Sequence, residues 1–291
     1  MLGQIIAVTI TVASLGPSEK AYSEYLGYKT VAQGKVTSAE AKSWGASKVS
    51  GHKYVLMQPA SGSPHYIRFV ETAAYPDYKH MQTTGWNAVE LLVQDPDAMH
   101  AKLKASPFKI VGEPRGLSAE SKTKAMQVTG PSNELLYLTN PAGEGNKAAS
   151  EVDRFFVVID GSTDYTKLMS FYTDMGAKVG APAAYRLSVF NRANGLDPEM
   201  KHEIAMARPT AGPVAVELDH FPAQIKDRVG RKNDLPPGQS IVTFEVPSLD
   251  DVKQPFVQKP AKISAKPYDG RRVAVIKGPS GELLELVETK K

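Results

Sequence analysis

One nine-residue segment occurs twice in this chain. The segments GPSNELLYL (130–138) and GPSGELLEL (278–286) share seven of nine residues and start 148 positions apart (278 − 130). Each begins with a glycine-proline turn that leads into a short apolar strand, and a second strand-like run precedes each turn. We therefore interpret each copy as the end of one repeated structural module.

Four segments with alternating apolar residues mark the starts of modules. They are Ile5 to Val12, Trp86 to Val93, Asp153 to Ile159 and Ile241 to Val246. A helix signal follows each of them: apolar residues at helical spacing near Tyr22, Met99 and Leu168, and a short segment after Ser248. The pattern predicts four strand-helix-strand-strand-strand (βαβββ) modules, near 1–78, 79–148, 149–235 and 236–291.

The joint near the middle of the chain predicts how the modules are grouped. The segment 141–146 is polar and contains two glycines, which is typical of a linker. At 291 residues the chain also exceeds the usual size of one domain. We expect two domains, 1–148 and 149–291, each built from two consecutive modules.

Composition excludes several classes of function. The chain has no cysteine, which removes disulfides, thiolate nucleophiles and cysteine-based metal sites. Its net charge is only +4, and it has no basic run with interleaved aromatic residues, so we expect no nucleic-acid partner. No apolar run reaches the roughly 18 residues that a membrane-spanning helix needs. We expect a cytoplasmic protein without a membrane partner, as a monomer or homodimer.

The module order resembles that of the vicinal oxygen chelate superfamily. Two motifs carry the resemblance besides the repeat: Tyr25-Leu26-Gly27-Tyr28 at the end of a helix, and the closing strand 281–288 (GELLELVE). The superfamily includes glyoxalase I, extradiol dioxygenases and bleomycin-resistance proteins. The resemblance implies an α+β fold in which four βαβββ modules pair into two cup-shaped mixed β-sheets.

The resemblance also implies where a metal would be held. Members of the superfamily usually bind a divalent metal with a ligand from the first strand of a module and a glutamate from its last strand. The first-strand positions here are Ala7, Ala88, Arg154 and Ile241, and none is a ligand. The last-strand positions are Arg68, Tyr137, Glu217 and Glu285, of which only the two glutamates could bind metal. We expect no metal cofactor, with Glu217 and Glu285 as the ligands if one is present.

Alternation along the strands predicts which residues line each cup. In the N-terminal cup we expect Thr9, Thr11, Tyr66, Arg68, Trp86, Glu90 and Tyr137, with Trp44 above it. In the C-terminal cup we expect Arg154, Phe156, Glu217, Thr243, Glu245 and Glu285. Glu90, Tyr137 and Arg68 are the candidate catalytic residues; Trp86, Tyr66, Thr9, Thr11 and Trp44 are candidates for binding substrate. A purely structural alternative is that Arg68 and Glu90 form an ion pair.

Three functional hypotheses follow. The preferred one is a metal-independent lyase or isomerase that acts on a small hydrophobic or aromatic molecule by acid-base chemistry. The second is a metal-dependent dioxygenase of the extradiol type with atypical ligands. The third is a non-catalytic protein that binds a small molecule, as in bleomycin resistance.

Overall fold

The computed structural model describes residues 1–116 and 121–289 and contains the four predicted modules. The first module consists of β1 (Ile5–Val12), α1 (Leu15–Leu26), β2 (Lys29–Lys35), α2 (Ser38–Ser43), β3 (Lys53–Gln58) and β4 (Tyr66–Glu71). The second consists of β5 (Gly85–Val93), α3 (Pro96–Leu103), β6 (Lys109–Gly116), β7 (Lys124–Thr129) and β8 (Leu135–Asn140).

The third module carries one extra helix and one extra short strand. It consists of β9 (Val152–Ser162), α4 (Tyr165–Asp174), β10 (Lys178–Val179), β11 (Ala183–Arg186), α5 (Ser188–Ala193), β12 (Lys201–Arg208) and β13 (Ala215–His220). The fourth consists of β14 (Gln239–Val246), a 3-10 turn (Leu249–Asp251), β15 (Ala261–Lys262), β16 (Arg272–Lys277) and β17 (Leu283–Glu288). The helix predicted after Ser248 is thus reduced to one 3-10 turn.

The strands form two mixed sheets, as the prediction of two cup-shaped sheets requires. The eight-stranded sheet has the order β15-β16-β17-β14-β1-β4-β3-β2. The nine-stranded sheet has the order β10-β12-β13-β9-β5-β8-β7-β6, with β11 paired to β12. Within each module the first and last strands run parallel, and the other strands extend the sheet outward.

The predicted pairing of consecutive modules is wrong. β1 of the first module pairs antiparallel with β14 of the fourth, and β5 of the second pairs antiparallel with β9 of the third. The outer modules therefore share one sheet and the inner modules share the other. Alternation within a strand gives the face that each residue occupies, and all four first strands alternate in the same way. Nothing local in the sequence distinguishes the partner of β1, because that pairing is made across more than 200 residues.

One continuous apolar core joins the two sheets and their helices. It contains side chains from all four modules, such as Tyr22, Trp86, Phe155 and Phe244. Trp86 packs against Phe244 with ring centroids 6.4 Å apart, and its Nε1 donates to the Leu283 carbonyl oxygen at 2.9 Å. Trp86 is therefore part of the core and not of a cup, contrary to the prediction. A register shift between Trp86 and Ala88 on β5 turns Trp86 to the opposite face from Glu90.

The two repeated turns have the same internal structure. In the first, the Ser132 backbone N–H donates to Glu134 Oε2 at 2.9 Å; in the second, the Ser280 backbone N–H donates to Glu282 Oε2 at 2.7 Å. Both glutamates are buried, and a Cβ at Gly130 or Gly278 would overlap the carboxylate beneath it. The repeated Gly-Pro-Ser-x-Glu sequence thus encodes a turn that closes over a buried carboxylate.

The helices show the local signals that predicted them. Asp95 accepts hydrogen bonds from the Asp97 and Ala98 backbone N–H groups, and Pro96 occupies the first position of α3. α1 ends at Gly27 in the left-handed conformation, at a φ of 69°. Among residues 1–116 and 121–289, no helix is both long and apolar enough to cross a bilayer.

Candidate active site

A cavity of about 630 Å³ lies in the nine-stranded sheet, between the second and third modules. We call it the open cup. Apolar side chains form much of its wall: Phe156, Val157, Leu187, Val189, Ile204 and Met206. A cavity of this size and lining is suited to a small organic molecule.

Glu90 and Tyr137 lie side by side in the open cup. β5 and β8 run parallel, and their register places Glu90 opposite Tyr137. Both side chains line the cavity, and Glu90 Oε2 accepts a hydrogen bond from Thr139 Oγ1 at 3.2 Å. Burial, with a smaller contribution from the negative charge of Glu217, raises the pKa of Glu90 from 4.5 to about 8. Near neutral pH, Glu90 therefore exists in both its protonated and its ionised form.

The third module adds the Glu217 carboxyl group to the open cup, with the buried Asp219 beside it. Glu217 and Asp219 are alternate residues of β13, so their side chains leave the strand on the same face, and Glu217 lines the cavity. Burial raises the pKa of Glu217 well above its usual range, and the neighbouring Asp219 raises it further. Burial also raises the pKa of Tyr137, and the charge of Glu217 adds to this effect. Tyr137 is thus a neutral phenol that can donate a hydrogen bond.

Basic side chains also line the open cup. Arg115, Lys178, Arg186 and Arg208 all line the cavity. Arg115 Nη2 donates to Ser188 Oγ at 2.5 Å, and Arg186 Nη1 donates to both carboxylate oxygens of Glu199. Arg115 was not predicted from the sequence.

The eight-stranded sheet has a different interior, which we call the filled cup: Trp44, Arg68, Tyr268 and Glu285. Arg68 Nη2 lies 3.2 Å from Glu285 Oε2, and the two side chains are 1% and 0% exposed. Arg68 Nε donates to Thr9 Oγ1 at 2.9 Å, and Arg68 Nη1 donates to the Tyr268 hydroxyl. The guanidinium carbon also lies 4.7 Å from the centre of the Trp44 ring.

Trp44 is placed over this network by the short helix α2. Thr37 and Glu40 form a capping box at the start of α2, which sets the direction of the helix, and Trp44 follows its last residue. Trp44 Nε1 then donates to Glu285 Oε1 at 2.6 Å. Trp44 was predicted above a cup formed by the first and second modules; its side chain instead fills the cup of the first and fourth modules and is only 2% exposed.

The candidate residues from the sequence are therefore divided between several environments. Glu90, Tyr137 and Glu217 come together in the open cup. Arg68, Thr9, Trp44 and Glu285 belong to the filled cup, so the suggested ion pair of Arg68 with Glu90 does not form. Thr11 donates to the Pro236 and Gly238 carbonyl oxygens and has a structural role, whereas Tyr66 is half-buried at the start of β4.

Other residues assigned to the C-terminal cup are also separated. Phe156 lines the open cup, but Thr243 donates to Glu285 Oε2 at 2.7 Å in the filled cup. Glu245 pairs with Arg271 at 2.6 Å, and Arg154 Nη2 donates to Asn146 Oδ1. The places of Thr243 and Glu245 follow from the exchange of modules, because the fourth module belongs to the eight-stranded sheet. Asp219 was missed by the sequence analysis, although its spacing of two residues from Glu217 on an alternating strand was a usable signal.

Comparison with known proteins bears on the fold. No protein-family model and no curated protein sequence matches this chain. The structure superimposes on glyoxalase I from Zea mays with a TM-score of 0.67 and 15% sequence identity, over 98% of this chain and 92% of that one. The chain has the vicinal oxygen chelate fold. A proposed dioxygenase from Bacillus subtilis also superimposes, with a TM-score of 0.65 and 12% identity, over 100% of this chain and 86% of that one.

The residues present do not fit the metal site that a vicinal oxygen chelate fold implies. Glu217 and Glu285 lie in different sheets and cannot bind one ion together. Glu285 Oε1 accepts from Trp44 and Tyr268, and Oε2 accepts from Arg68 and Thr243, which uses all the lone-pair sites of a carboxylate. Among residues 1–116 and 121–289, no three His, Asp or Glu side chains form a group that could hold a metal ion. That the protein works without a metal remains a prediction.

Proposed function

We propose that this protein is an enzyme that acts on a small apolar or aromatic molecule by acid-base chemistry in the open cup, as a lyase or isomerase. One observation carries the proposal: Glu90 and Glu217, two carboxyl groups with raised pKa values, line the same apolar cavity as Tyr137. Perturbed carboxyl groups in a cavity are typical of residues that transfer protons.

Each of the three residues has a role in this reaction. Ionised Glu90 removes a proton from a carbon next to a carbonyl group, and the electron pair of the C–H bond moves toward the carbonyl oxygen. The Tyr137 phenol and the protonated Glu217 carboxyl donate hydrogen bonds to that oxygen and stabilise the enolate. In an isomerase, the proton returns to a different carbon. In a lyase, the electron pair instead expels a leaving group on the adjacent carbon, which takes a proton from Glu217.

A solvent-exchange experiment tests the proposal before the natural substrate is known. Aromatic and aliphatic carbonyl compounds are incubated with the protein in D2O, and proton NMR follows the loss of the signals next to the carbonyl group. We expect exchange with at least one compound, reduced roughly 100-fold or more in Glu90→Gln and at least 10-fold in Tyr137→Phe. The exposed Glu24→Gln on α1 is the control and should exchange at the wild-type rate.

Three outcomes would overturn the proposal. If a compound exchanges at the same rate in Glu90→Gln, Tyr137→Phe and wild type, the acids of the open cup do not perform the chemistry. If a compound binds stoichiometrically but neither exchanges nor reacts, the protein is a binding protein that sequesters it. Loss of the exchange on treatment with a chelator would indicate metal-dependent chemistry instead.

A further inference from the structure

Two guanidinium groups line the open cup, and a third lies close enough to Arg115 to affect its charge. Arg115 lies on β6 and Arg186 ends β11, whereas Arg192 lies in α5 and does not line the cavity. Burial lowers the pKa of Arg115, and the positive charges of Arg186 and Arg192 lower it further. Such mutual repulsion between like charges is unfavourable unless an anion compensates it.

The carboxylate that opposes these arginines compensates only part of their charge. Glu199 binds Arg186 at 2.7 Å, but its side chain is 72% exposed, so the pair is weak and in exchange with water. Arg115 and Arg192 donate to neutral oxygens, the Ser188 hydroxyl and the Val111 carbonyl. Three cations thus face one solvated anion.

The acids inside the cavity do not restore the balance. Of the residues that line it, four are basic and two, Glu90 and Glu217, are acidic. The raised pKa values of both glutamates keep them largely protonated at neutral pH. The cavity therefore presents a positive mouth above an apolar wall and largely neutral acids.

We propose that the open cup takes an organic anion, in which an apolar ring enters the cavity and one carboxylate, sulfonate or phosphate group binds Arg115 and Arg186 at the mouth. Planar guanidinium groups bind such oxygens through paired hydrogen bonds. Tyr185, which lines the mouth and is 53% exposed, supplies a flat surface against the ring. The inference rests on the proposed function for the identity of the site, and it adds the class of substrate.

A matched pair of fluorescent probes tests this proposal without turnover. 8-Anilinonaphthalene-1-sulfonate carries a sulfonate, whereas N-phenyl-1-naphthylamine has the same rings and no charge. We expect the sulfonate to bind the wild-type protein about tenfold or more tightly than the neutral probe, and its affinity to fall as salt is raised. Arg115→Gln should weaken the sulfonate about tenfold and leave the neutral probe unchanged.

A second variant changes the affinity in the opposite direction. Glu199→Gln removes the competing carboxylate, so it should tighten binding of the sulfonate by about threefold and leave the neutral probe unchanged. Misfolding would instead expose apolar surface and increase the binding of both probes. Lys167→Gln removes one positive charge from the exposed face of α4, on the other side of the sheet, and serves as the control. Equal affinities for the two probes, or no effect of Arg115→Gln and Glu199→Gln on the sulfonate, would overturn the proposal.

The outcome is separable from that of the proposed function. Glu90→Gln is expected to reduce exchange in D2O roughly 100-fold or more and to keep the preference for the sulfonate probe. If the preference holds while wild-type protein exchanges no compound, the anion site stands and the acid-base proposal fails. If exchange occurs but both probes bind equally, the acid-base proposal stands and the anion site fails.

Discussion

Arg68 and Glu285 form a buried ion pair in the filled cup, and Tyr137 and Glu217 occupy the equivalent positions in the open cup. In each module, the same position of the last strand points into the sheet interior: Arg68 on β4, Tyr137 on β8, Glu217 on β13 and Glu285 on β17. The exchange of modules brings Arg68 to Glu285 at 3.2 Å. It leaves Glu217 without an arginine at the equivalent position, so no opposite charge offsets the burial that raises the pKa of Glu217.

The buried ion pair should be essential to stability. Glu285→Ala leaves the Arg68 guanidinium buried without its counterion, which typically costs about 3–5 kcal/mol of unfolding free energy. Urea unfolding at pH 7 measures the loss. Lys20→Gln breaks the exposed pair with Glu24 and should cost less than about 0.5 kcal/mol. Equal costs for the two variants would show that the filled cup is not a stability element.

The two cups predict opposite outcomes for tyrosine variants. Tyr268→Phe removes the hydroxyl that donates to Glu285 Oε1 at 2.7 Å, so it should lower the unfolding free energy by about 1–3 kcal/mol without changing exchange in D2O. Tyr137→Phe should lower the exchange rate at least 10-fold and change stability little. The pair of measurements assigns the chemistry to one cup. A loss of exchange in a fully folded Tyr268→Phe variant would instead assign the chemistry to the filled cup.

The repeated turns predict a sign difference between glycine variants. A methyl group at Gly278 overlaps the buried Glu282 carboxylate, and we expect Gly278→Ala to cost about 1–3 kcal/mol. Gly16, in the first turn of α1, has nothing within 4 Å of the added methyl group. Gly16→Ala should therefore stabilise the protein by about 0.5–1 kcal/mol, because alanine favours the helix. Thermal unfolding of both variants checks the signs.

The pKa of Glu90 predicts how stability depends on pH. The folded state holds the Glu90 proton up to about pH 8, whereas the unfolded state releases it near pH 4.5. Between these values the folded protein binds more protons, so the contribution of Glu90 to stability is present at low pH and is lost as pH rises. Glu90→Gln removes this contribution. Its unfolding free energy should fall less than that of the wild type between pH 5 and pH 8, and an identical pH dependence would contradict the assignment.

The sequence predicted most of what depends on local patterns. The repeat gave the four modules, and alternation placed Thr9 beside Arg68 and Glu90 beside Tyr137, because neighbours on parallel strands follow from the period of two. Two features could not be predicted from the sequence. The register shift beside Ala88 reverses the face of Trp86 without a sequence signature, and the pairing of β1 with β14 is chosen by packing across the whole chain.

The proton affinity of Glu90 is the most direct test of the central claim that the open cup holds acids poised for proton transfer. Carbon-13 NMR of protein labelled at the glutamate side-chain carboxyl carbons follows each group from pH 4 to pH 10, and Glu90→Gln identifies the Glu90 signal. We predict a midpoint near pH 8 for that signal. A midpoint near 4.5 would show that Glu90 is an ordinary solvated carboxylate, and the proposed acid-base site would be contradicted.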